Sequence, residues 1–399
     1  MTGREPTTID AAPLTADGRA TALVIEDEAG WDAIARDWAF LHARARAATP
    51  LDRVWLRTWW RVYRSAFHEP ALRIVTIWRS RELVGALPLF VHGESRRRFG
   101  VRHLRMLSTG EAEFEETCPD HLNLLALPGE EELCATHAWQ AIDRMSWDHL
   151  ELLDLDDRSA LLAGNVAPST ARRFPRGTCP VADLTGGFES YLRRLSSNGR
   201  AQARRLLREG ERACVQFEMV RGDCATDAFC DLILLHQNRW ERASKPGVFV
   251  AQRFVEFHRA LLAKWTPTDR AVLARLSIAS GPVAVLYGFV TGSTFEFYQS
   301  GVMLDAPGLR SAGNLCHLLL MKALAERGIA TYDFLRGAAA YKKRLATHET
   351  RLSGIEMWRP TLRTTALRSA QLALCAVRAA CRRWSRPLTI DRDIVGGER

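Results

Sequence analysis

Residues 333–342 carry side chains that suit acid–base chemistry. Asp333 lies near the carboxyl end of an apolar segment, residues 329–335, that has the pattern of a strand. Open α/β sheets keep their ligands at this end of the strands, so Asp333 is either a base whose pKa burial has raised or the structural partner of an arginine. Tyr341 and Lys342 follow a Gly-Ala-Ala-Ala sequence that is small enough to close over a substrate. The alternative is an ordinary surface loop whose lysine lays its stem on apolar surface.

A second candidate site lies where residues 294–301, a predicted strand, lead into a predicted helix over residues 314–327. Glycines in the connecting loop let the backbone approach a ligand closely, and a helix N-terminus offers free N–H groups and a positive dipole end. This combination suits a pyrophosphate such as that of coenzyme A, although such a loop is also a common ordinary turn. The residues predicted to bind it are Gly308, Arg310, Ser311, Gly313 and Asn314.

Two predicted amphipathic helices could bind an anionic substrate. Residues 189–212 are rich in arginine, and the arginine fork matches phosphate oxygens, but a solvated helix face has the same composition. Residues 228–242 form the other helix. The predicted substrate-binding residues on the two helices are Arg200, Arg204, Arg205, His236, Arg239 and Trp240.

An internal repeat predicts the elements that hold these residues. Residues 73–91 and 273–290 both read as strand, turn and strand, and residues 84–91 align with residues 283–290 without a gap. A helix over residues 130–145 and a strand over 147–155 follow the first hairpin, and the helix over 314–327, ended by Gly328, and the strand over 329–335 follow the second. This order predicts a duplicated α/β unit.

Length and composition support two soluble domains. The chain has 399 residues, 47% hydrophobic and 25% charged, with no signal-peptide pattern and no apolar run long enough to cross a bilayer. Nine cysteines without a C-x-x-C pair predict reduced, mostly buried thiols in a cytosol, and neither zinc nor a disulfide framework. The predicted parts are a disordered N-terminus (1–18), two α/β domains (19–178 and 179–360, with a boundary near residues 175–180) and a basic tail (361–399).

The net charge of +9 does not indicate a DNA-binding body, because six arginines and no acid fall within residues 361–386. This tail is predicted to form a basic amphipathic helix that either lies on an anionic membrane surface or covers the folded body. We therefore expect a cytoplasmic protein with a possible peripheral contact at the inner membrane and no DNA partner.

Residues 191–342 resemble the GNAT-type acetyltransferase domain of cellulose- and exopolysaccharide-associated bacterial proteins and of Fem-like peptidoglycan enzymes. The similarity rests on the order and spacing of several pieces, and residues 55–60 and 83–89 are similar to the N-terminal region of those proteins. The matching pieces are residues 198–205, 235–240, 283–290, 307–308, 332–337 and 341–342. The loop from Gly308 to Gly313 departs from the family's Q/R-x-x-G-x-G/A pattern, which weakens the expectation of coenzyme A binding.

The resemblance implies two tandem GNAT-like domains with mixed sheets and acyl transfer from a thioester or an aminoacyl ester to an amine or hydroxyl. Under the acyl-CoA reading, acetyl-CoA or another acyl-CoA is the co-substrate, no metal is needed, and backbone N–H groups near residues 298–301 stabilise the oxyanion. Asp333 is then the base or an orienting carboxylate, Lys342 an electrostatic stabiliser, and Tyr341 or Tyr298 the acid that protonates the thiolate. The expected acceptor is a small molecule or a glycan precursor of the cell envelope.

Two other functions are kept open. One is a Fem-like transferase that uses aminoacyl-tRNA, which predicts salt-dependent RNA binding. The other is a non-catalytic partner of a polysaccharide synthase at the inner membrane. The H-x4-D spacing of His149 and Asp154 is set aside because both residues fall in a predicted strand, and the absence of a G-x-S-x-G sequence disfavours a hydrolase.

Overall fold

The computed structural model describes residues 19–93, 100–222, 224–337, 339–362, 364–366 and 369. Met1–Met357 form one compact unit and Trp358–Arg399 form a second. The predicted disordered N-terminus and nearly all of the predicted basic tail lie outside the described residues. Among the residues that are described, no helix is both long and apolar enough to cross a bilayer.

In the first half of the larger unit, strands and helices alternate along the chain, and the packing between the helices is rich in tryptophan. Its elements are β1 (Ala20–Ile25), α1 (Glu28–Ala33), α2 (Ala35–Arg44), α3 (Arg53–Tyr63), β2 (His68–Leu72), β3 (Ile74–Arg79), β4 (Glu82–Leu87), β5 (Leu89–Gly93), β6 (Arg102–Met106), β7 (Leu125–Ala126), α4 (Glu131–Arg144) and β8 (His149–Asp156). Asp52 begins α3 by accepting a 2.6 Å hydrogen bond from Val54 N, as an N-cap should. Pro88 separates β4 from β5, because proline cannot donate to a strand ladder.

The second half follows directly in the same unit. Its elements are β9 (Arg172–Asp183), α5 (Phe188–Arg194), α6 (Ser197–Arg212), β10 (Gln216–Val220), α7 (Cys224–Arg242), α8 (Gln252–Trp265), β11 (Ala271–Ile278), β12 (Gly281–Thr291), β13 (Thr294–Val302), α9 (Ala312–Glu326), β14 (Thr331–Asp333), α10 (Ala340–Leu345) and β15 (His348–Trp358). Residues 175–180, where we expected a domain boundary, lie inside β9, which pairs with both β14 and β15.

Two sheets organise these strands. A four-stranded sheet has the order β1-β3-β4-β7, and an eleven-stranded sheet has the order β10-β11-β12-β13-β14-β9-β15-β8-β6-β5-β2. The larger sheet therefore runs through both halves of the chain. The hairpin of the first half bends from one sheet to the other, because β3 pairs with β4 in the small sheet and β2 pairs with β5 in the large one.

The predicted repeat is visible in the topology. In the first half an antiparallel pair, β5 and β6, is followed by α4 and by β8, which runs parallel to β6. In the second half the antiparallel pair β12 and β13 is followed by α9 and by β14, which runs parallel to β13. The predicted mixed α/β class is therefore confirmed.

The sheet of the second half separates two buried clusters. Alternate side chains of β12 point to opposite faces, as the pleat requires. Val285, Tyr287 and Phe289 pack with α7, α8 and the first half, which together form the first-half cluster. Ala284 and Leu286 pack with α5, α6 and α9, which form the α9 cluster. Residues of β13 therefore reach either the first half or α9, depending on their position along the strand.

Some local predictions needed correction. The arginine-rich helix is not continuous over residues 189–212, because Leu195 leaves the helical conformation and Ser196 caps a new helix, accepting a 3.1 Å hydrogen bond from Gly199 N. The expectation of mostly buried cysteines was wrong for the described residues. Cys118, Cys214, Cys224 and Cys230 are exposed, whereas Cys134, Cys179 and Cys316 are buried, and all seven are free thiols.

Candidate functional site

Strands β13 and β14 pair for three residues and then diverge. The paired residues are Thr294 with Thr331, Phe295 with Tyr332, and Glu296 with Asp333. Strand β13 continues along β12 as far as Val302, whereas β14 ends at Asp333 and Phe334 N donates to Pro180 O of β9 at 2.9 Å. A gap therefore opens between β13 and the chain that follows β14, directly after the Glu296–Asp333 pair.

A bulge in β13 lies at the beginning of this gap. Gly288 of β12 is opposite Phe297 and Tyr287 is opposite Gln299, which leaves Tyr298 without a partner on β12. A bulge leaves the extra residue outside the ladder and re-aims the strand. Further along, Ser300 N donates at 3.0 Å to the side chain of Gln299. Because the pairing with β14 ends at Glu296, the edge of β13 after the bulge has no strand partner on the gap side among the described residues.

The side chain of Tyr298 points into the first-half cluster. Its hydroxyl donates to Thr117 O at 2.7 Å and lies 3.1 Å from His258 Nε2. Burial raises the pKa of Tyr298 well above its usual value. The structure thus places the backbone of Tyr298 beside the gap but holds its phenol in a hydrogen-bonded core.

The predicted phosphate-binding residues gather at the turn between β13 and α9. Gly308 has a φ of 74°, a conformation that favours glycine. A Cβ at Gly313 would lie 3.2 Å from Val302 Cγ2, so the first turn of α9 packs on the end of β13. Ser311 precedes α9 and makes no side-chain capping hydrogen bond. No side chain therefore caps the positive end of the fifteen-residue helix α9, so its first N–H groups can serve an anionic group.

Helix α6 lies beside this turn. A Cβ at Gly210 would come within 2.8 Å of Leu315 in α9, which shows how closely the two helices pack. Glu209 of α6 holds Arg310 of the turn at 3.2 Å and lies 3.9 Å from Arg205. Arg204 is exposed, and Arg200 donates to Arg193 O at 3.2 Å. Of the three arginines predicted on this helix, Arg205 is the one joined to the turn through Glu209.

Lys342 closes the far side of the gap. Its ammonium donates to Phe334 O at 2.7 Å, Arg336 O at 2.8 Å and Leu335 O at 3.3 Å, and lies 5.8 Å from the ring centre of Phe297 in β13. Leu335 has a φ of 55°, so the lysine stabilises a strained turn after β14. Burial lowers the pKa of Lys342, which the nearby carboxylates and thiols partly oppose.

Tyr341 faces α9 at the same gap. Its ring stacks on His317 with centroids 5.3 Å apart, and His317 Nδ1 lies 2.7 Å from the Tyr332 hydroxyl. Burial raises the pKa of Tyr341 to about 12 and lowers the pKa of His317 to about 3, so both rings are neutral near pH 7. His317 was placed in a helix from the sequence but given no role there.

Helix α7 covers the gap from the first-half side. A Cβ at Gly301 of β13 would lie 2.4 Å from Leu232 O, so α7 contacts the strand closely. His236 is buried, lies 4.8 Å from the ring centre of Phe249, and has a pKa lowered to about 4 by burial. The ring of Trp240 lies close to the ring of His236 and to the ammonium group of Lys245. The positive charge of Arg239 is close enough to Tyr341 to lower its pKa, which opposes the increase that burial causes.

A cavity of about 580 Å³ lies on the face of the sheet that is turned toward the first half of the chain. It is next to the paired residues of β13 and β14, which precede the gap. Glu296 and Asp333 both line it. Glu296 accepts hydrogen bonds from Thr49 N at 3.1 and 3.3 Å, and burial raises its pKa to about 7. Other residues that line the cavity are Arg46, His121, Asn123, Glu131, Asp156, Arg158, Thr291, Thr294, Thr331, His348 and Thr350.

Asp333 has partners that the sequence did not reveal. Its Oδ1 accepts a 2.7 Å hydrogen bond from Leu335 N, and its Oδ2 lies 2.9 Å from His121 Nε2. Burial alone would lower the pKa of His121, but Asp333 and Cys179 raise it well above its usual value. Among the described residues, Asp333 therefore has a histidine and not an arginine as its ion-pair partner.

The predicted site residues thus do not all lie at the gap. Asp333, Tyr341, Lys342, Arg239 and the β13–α9 turn surround the gap or its entrance. Arg205 lies at the edge, joined to the turn through Glu209. The phenol of Tyr298 points away from the gap, whereas Glu296, His317 and His121 were not predicted. Glu296 lies in an alternating apolar strand, Thr294–Val302, and a buried acid in such a strand is the signal that could have found it.

Comparison with known proteins agrees with this geometry. Residues 197–343 match the family model described as an acetyltransferase (GNAT) domain. No curated protein matches the chain significantly. A crystal structure of FemX superposes with a TM-score of 0.56 at 10% identity, covering 80% of this chain and 94% of FemX.

Two further structures are similar. A conserved protein of unknown function from Bacteroides thetaiotaomicron has a TM-score of 0.50 at 11% identity, with 84% of this chain and all of that chain covered. A tandem GNAT protein from the clavulanic acid biosynthesis pathway has a TM-score of 0.42 at 14% identity, with 86% and 100% covered. The family match over residues 197–343 supports an acyltransferase type of activity for this part of the chain.

Proposed function

We propose that this protein transfers an acyl group from acyl-CoA to an amine or hydroxyl of a small molecule or glycan precursor. The observation that carries the proposal is the divergence of β13 and β14 directly after Glu296 and Asp333. This gap joins two different surroundings. One is the turn at the open N-terminus of α9, and the other is a cavity with carboxylates on its wall.

The α9 side of the gap suits the acyl donor. The first N–H groups of α9, Arg310 and the neighbouring Arg205 would hold the phosphates of coenzyme A. Backbone N–H groups at the β13 bulge, near Tyr298, would donate to the thioester oxygen as negative charge develops on it. The lack of a side-chain cap at the start of α9 and the end of the β13–β14 pairing at Glu296 fit such a substrate.

The cavity side suits the acceptor. Glu296 is buried, ends the paired part of β13 and faces the cavity, so its carboxylate is placed to take a proton from an attacking amine or hydroxyl. Asp333 orients the site through its contact with His121. The hydroxyls of Thr294 and Thr331 line the same cavity and offer hydrogen bonds to a polar acceptor.

Tyr341 is the acid that we assign to the thiolate leaving group. Its phenol is neutral and borders the gap, whereas that of Tyr298 is held by Thr117 and His258. Lys342 positions the turn after β14 by binding three carbonyl oxygens. In this proposal, the part of Lys342 in catalysis is therefore to hold the backbone on its side of the gap in one conformation.

The proposal is tested by binding and turnover together. A thermal-shift series with acetyl-CoA, longer acyl-CoAs and free coenzyme A should show stabilisation by the thioesters. Release of free thiol should then be followed with a panel of amine and hydroxyl acceptors. Stabilisation by acyl-CoA together with acceptor-dependent thiol release supports the proposal, and no shift with any acyl-CoA contradicts it.

The exposed arginines of α6 favour a second candidate, a transferase that takes its acyl group from aminoacyl-tRNA. Arg204, Arg208 and Arg212 are all exposed on this helix. Such a surface would bind RNA with an affinity that falls steeply with salt. Filter binding of tRNA at rising salt, compared with the thermal shift by acyl-CoA, distinguishes the two donors.

The cellular setting is also part of the proposal. The arginine-rich segment 361–386 would bring the enzyme to the inner membrane from the cytoplasmic side, near cell-envelope or exopolysaccharide synthesis. Co-sedimentation with anionic liposomes, with and without residues 361–399, tests this contact. Equal binding by both forms would exclude the tail as the anchor and would leave a non-catalytic role at a synthase without support.

A further inference from the structure

Three side chains with metal-binding atoms converge behind the cavity wall. His121 belongs to a loop of the first half, Cys179 to β9, and Asp333 to β14. One ligand atom from each of them lies within 4.8 Å of the others. These residues are far apart in the sequence, so their convergence is a property of the fold.

The nitrogen of His121 that faces this point is poorly satisfied by protein alone. Nε2 is buried and lies 2.9 Å from Asp333 Oδ2, yet among the described residues it makes no hydrogen bond of acceptable geometry. Buried polar atoms are almost always hydrogen-bonded, so an exception needs an explanation. A metal ion on the lone pair of Nε2 would supply the missing partner.

The surroundings of the three residues match those of metal ligands. The other ring nitrogen, Nδ1, faces Asp156 Oδ2 at 3.9 Å, which is beyond hydrogen-bond distance but places a carboxylate on the side where metal-binding histidines commonly have one. Oδ1 of Asp333 accepts from Leu335 N at 2.7 Å, so Oδ2, which lies 2.9 Å from His121 Nε2, is the oxygen that faces the ion. The hydrogen bond from Leu335 N fixes the orientation of the Asp333 carboxylate.

The backbone holds the cluster rigidly and leaves it accessible. Asp333 is paired with Val181 of β9, two residues after Cys179, and Phe334 N donates to Pro180 O at 2.9 Å. His121 has a φ of 60°, so its backbone is held in an unusual conformation. His121 and Asp333 both line the cavity, which gives an ion a route to the site.

We propose that His121, Cys179 and Asp333 bind a zinc ion at this point. Nitrogen, thiolate and carboxylate ligands are those that zinc prefers, at distances of about 2.0–2.3 Å, and three protein ligands leave a fourth position open toward the cavity. The ion would join the His121 loop of the first half to β9 and β14. The ion would share Asp333 and His121 with the proposed acceptor site, but the metal content of the protein can be measured separately from acyl transfer.

The metal content of the purified full-length chain tests the site. Mass spectrometry of the metals should find about one zinc ion per chain after reconstitution and dialysis. Cys179→Ser and His121→Asn should each lose the ion. Cys134→Ser is the matched control, because Cys134 is equally buried but lies in α4, away from the cluster, and this variant should keep the ion.

Cobalt substitution gives a second readout that does not depend on activity. The wild-type chain loaded with Co²⁺ should show a thiolate-to-cobalt charge-transfer band, and this band should vanish in Cys179→Ser. If Cys179→Ser does not fold, the band of the wild type and its loss in His121→Asn decide the question. A reconstituted wild-type chain without zinc and without this band, or a Cys179→Ser variant that keeps both, would overturn the proposal, whatever the result with acyl-CoA.

Discussion

Tyr341 and Tyr298 lie on opposite faces of the same sheet. The ring of Tyr341 stacks on His317 of α9 at the open gap, whereas the hydroxyl of Tyr298 donates to Thr117 O in the first-half cluster. The sequence makes the two phenols equivalent as candidates for the acid. The fold separates them, because the bulge at Tyr298 sends its side chain toward α8 and leaves only its backbone at the gap.

Replacement of each tyrosine by phenylalanine should therefore have different effects. Tyr341→Phe should lower kcat roughly tenfold to a hundredfold and leave the melting temperature nearly unchanged, since it removes a proton donor at the gap. Tyr298→Phe should lower the free energy of unfolding by about 1–2 kcal/mol, because it removes the buried hydroxyl that contacts Thr117 O and His258 Nε2. Steady-state kinetics and denaturant melts measure the two effects, and a reversed pattern would refute the assignment.

Glu296→Gln should lower kcat by at least about a hundredfold, because the amide cannot accept the proton that the acceptor loses. The KM for acyl-CoA should change little, since Glu296 faces the cavity and not the α9 turn. Glu326→Gln is the control, because Glu326 is exposed at the other end of α9. Equal activity of the Glu296 variant and the control would show that another group is the base.

Arg310→Ala should raise the KM for acyl-CoA by about fivefold to tenfold, because a charge-assisted contact to phosphate is removed at an exposed site. The increase should shrink as the ionic strength rises, since salt screens this contact. Arg327→Ala, at the opposite end of α9, serves as the control for net charge. An unchanged KM at low salt would place the phosphates elsewhere.

A glycine comparison tests the packing that forms the gap. Gly301→Ala should destabilise the protein by about 1–3 kcal/mol, because the new Cβ would lie 2.4 Å from Leu232 O and push α7 away from β13. Gly164→Ala should be neutral, because nothing lies within 4 Å of its Cβ position. Denaturant melts of both variants check this, and equal stability would mean that α7 is not held against β13.

Glu111 should make stability depend on pH. One oxygen of its carboxyl group accepts from Thr117 Oγ1 at 2.6 Å and from Trp59 Nε1, and burial raises its pKa to about 7. The folded state therefore holds a proton that the unfolded state releases near pH 4.5. The resulting stabilisation, on the order of 3 kcal/mol, is complete below pH 4.5 and is lost as the pH rises to about 7. Glu111→Gln should flatten the stability profile over this range in urea melts.

The periodicity of apolar residues was sufficient to predict the helices and strands whose side chains are buried at regular intervals. The helix predicted over residues 314–327 is α9, and Gly328 follows it with a φ of 81°, as expected of a C-terminal cap. The hairpin over residues 273–290 is β11 and β12. These predictions succeed because the spacing of apolar residues and the chemistry of caps are local.

Features that depend on distant contacts were not accessible in the same way. The strand predicted over residues 329–335 is shorter in the structure, because β14 pairs with β13 and β9 at Thr331–Asp333 and β13 then diverges, while Phe334 N donates to Pro180 O of β9. The contact between Asp333 and His121, like the place of Cys179 beside them, joins segments from both halves of the chain. No spacing in the sequence indicates either one. The sequence was therefore sufficient to predict which loops form the site, but not which residues contact Asp333.

Hydrogen–deuterium exchange with and without saturating acetyl-CoA tests the central claim most directly. If the thioester lies between β13 and the turn after β14, the amides of residues 298–301 and 312–315 should exchange more slowly in its presence, while those of α4 in the first half should not change. Unchanged exchange over both segments at a concentration of acetyl-CoA that stabilises the protein would contradict the account, because the donor would then bind somewhere else.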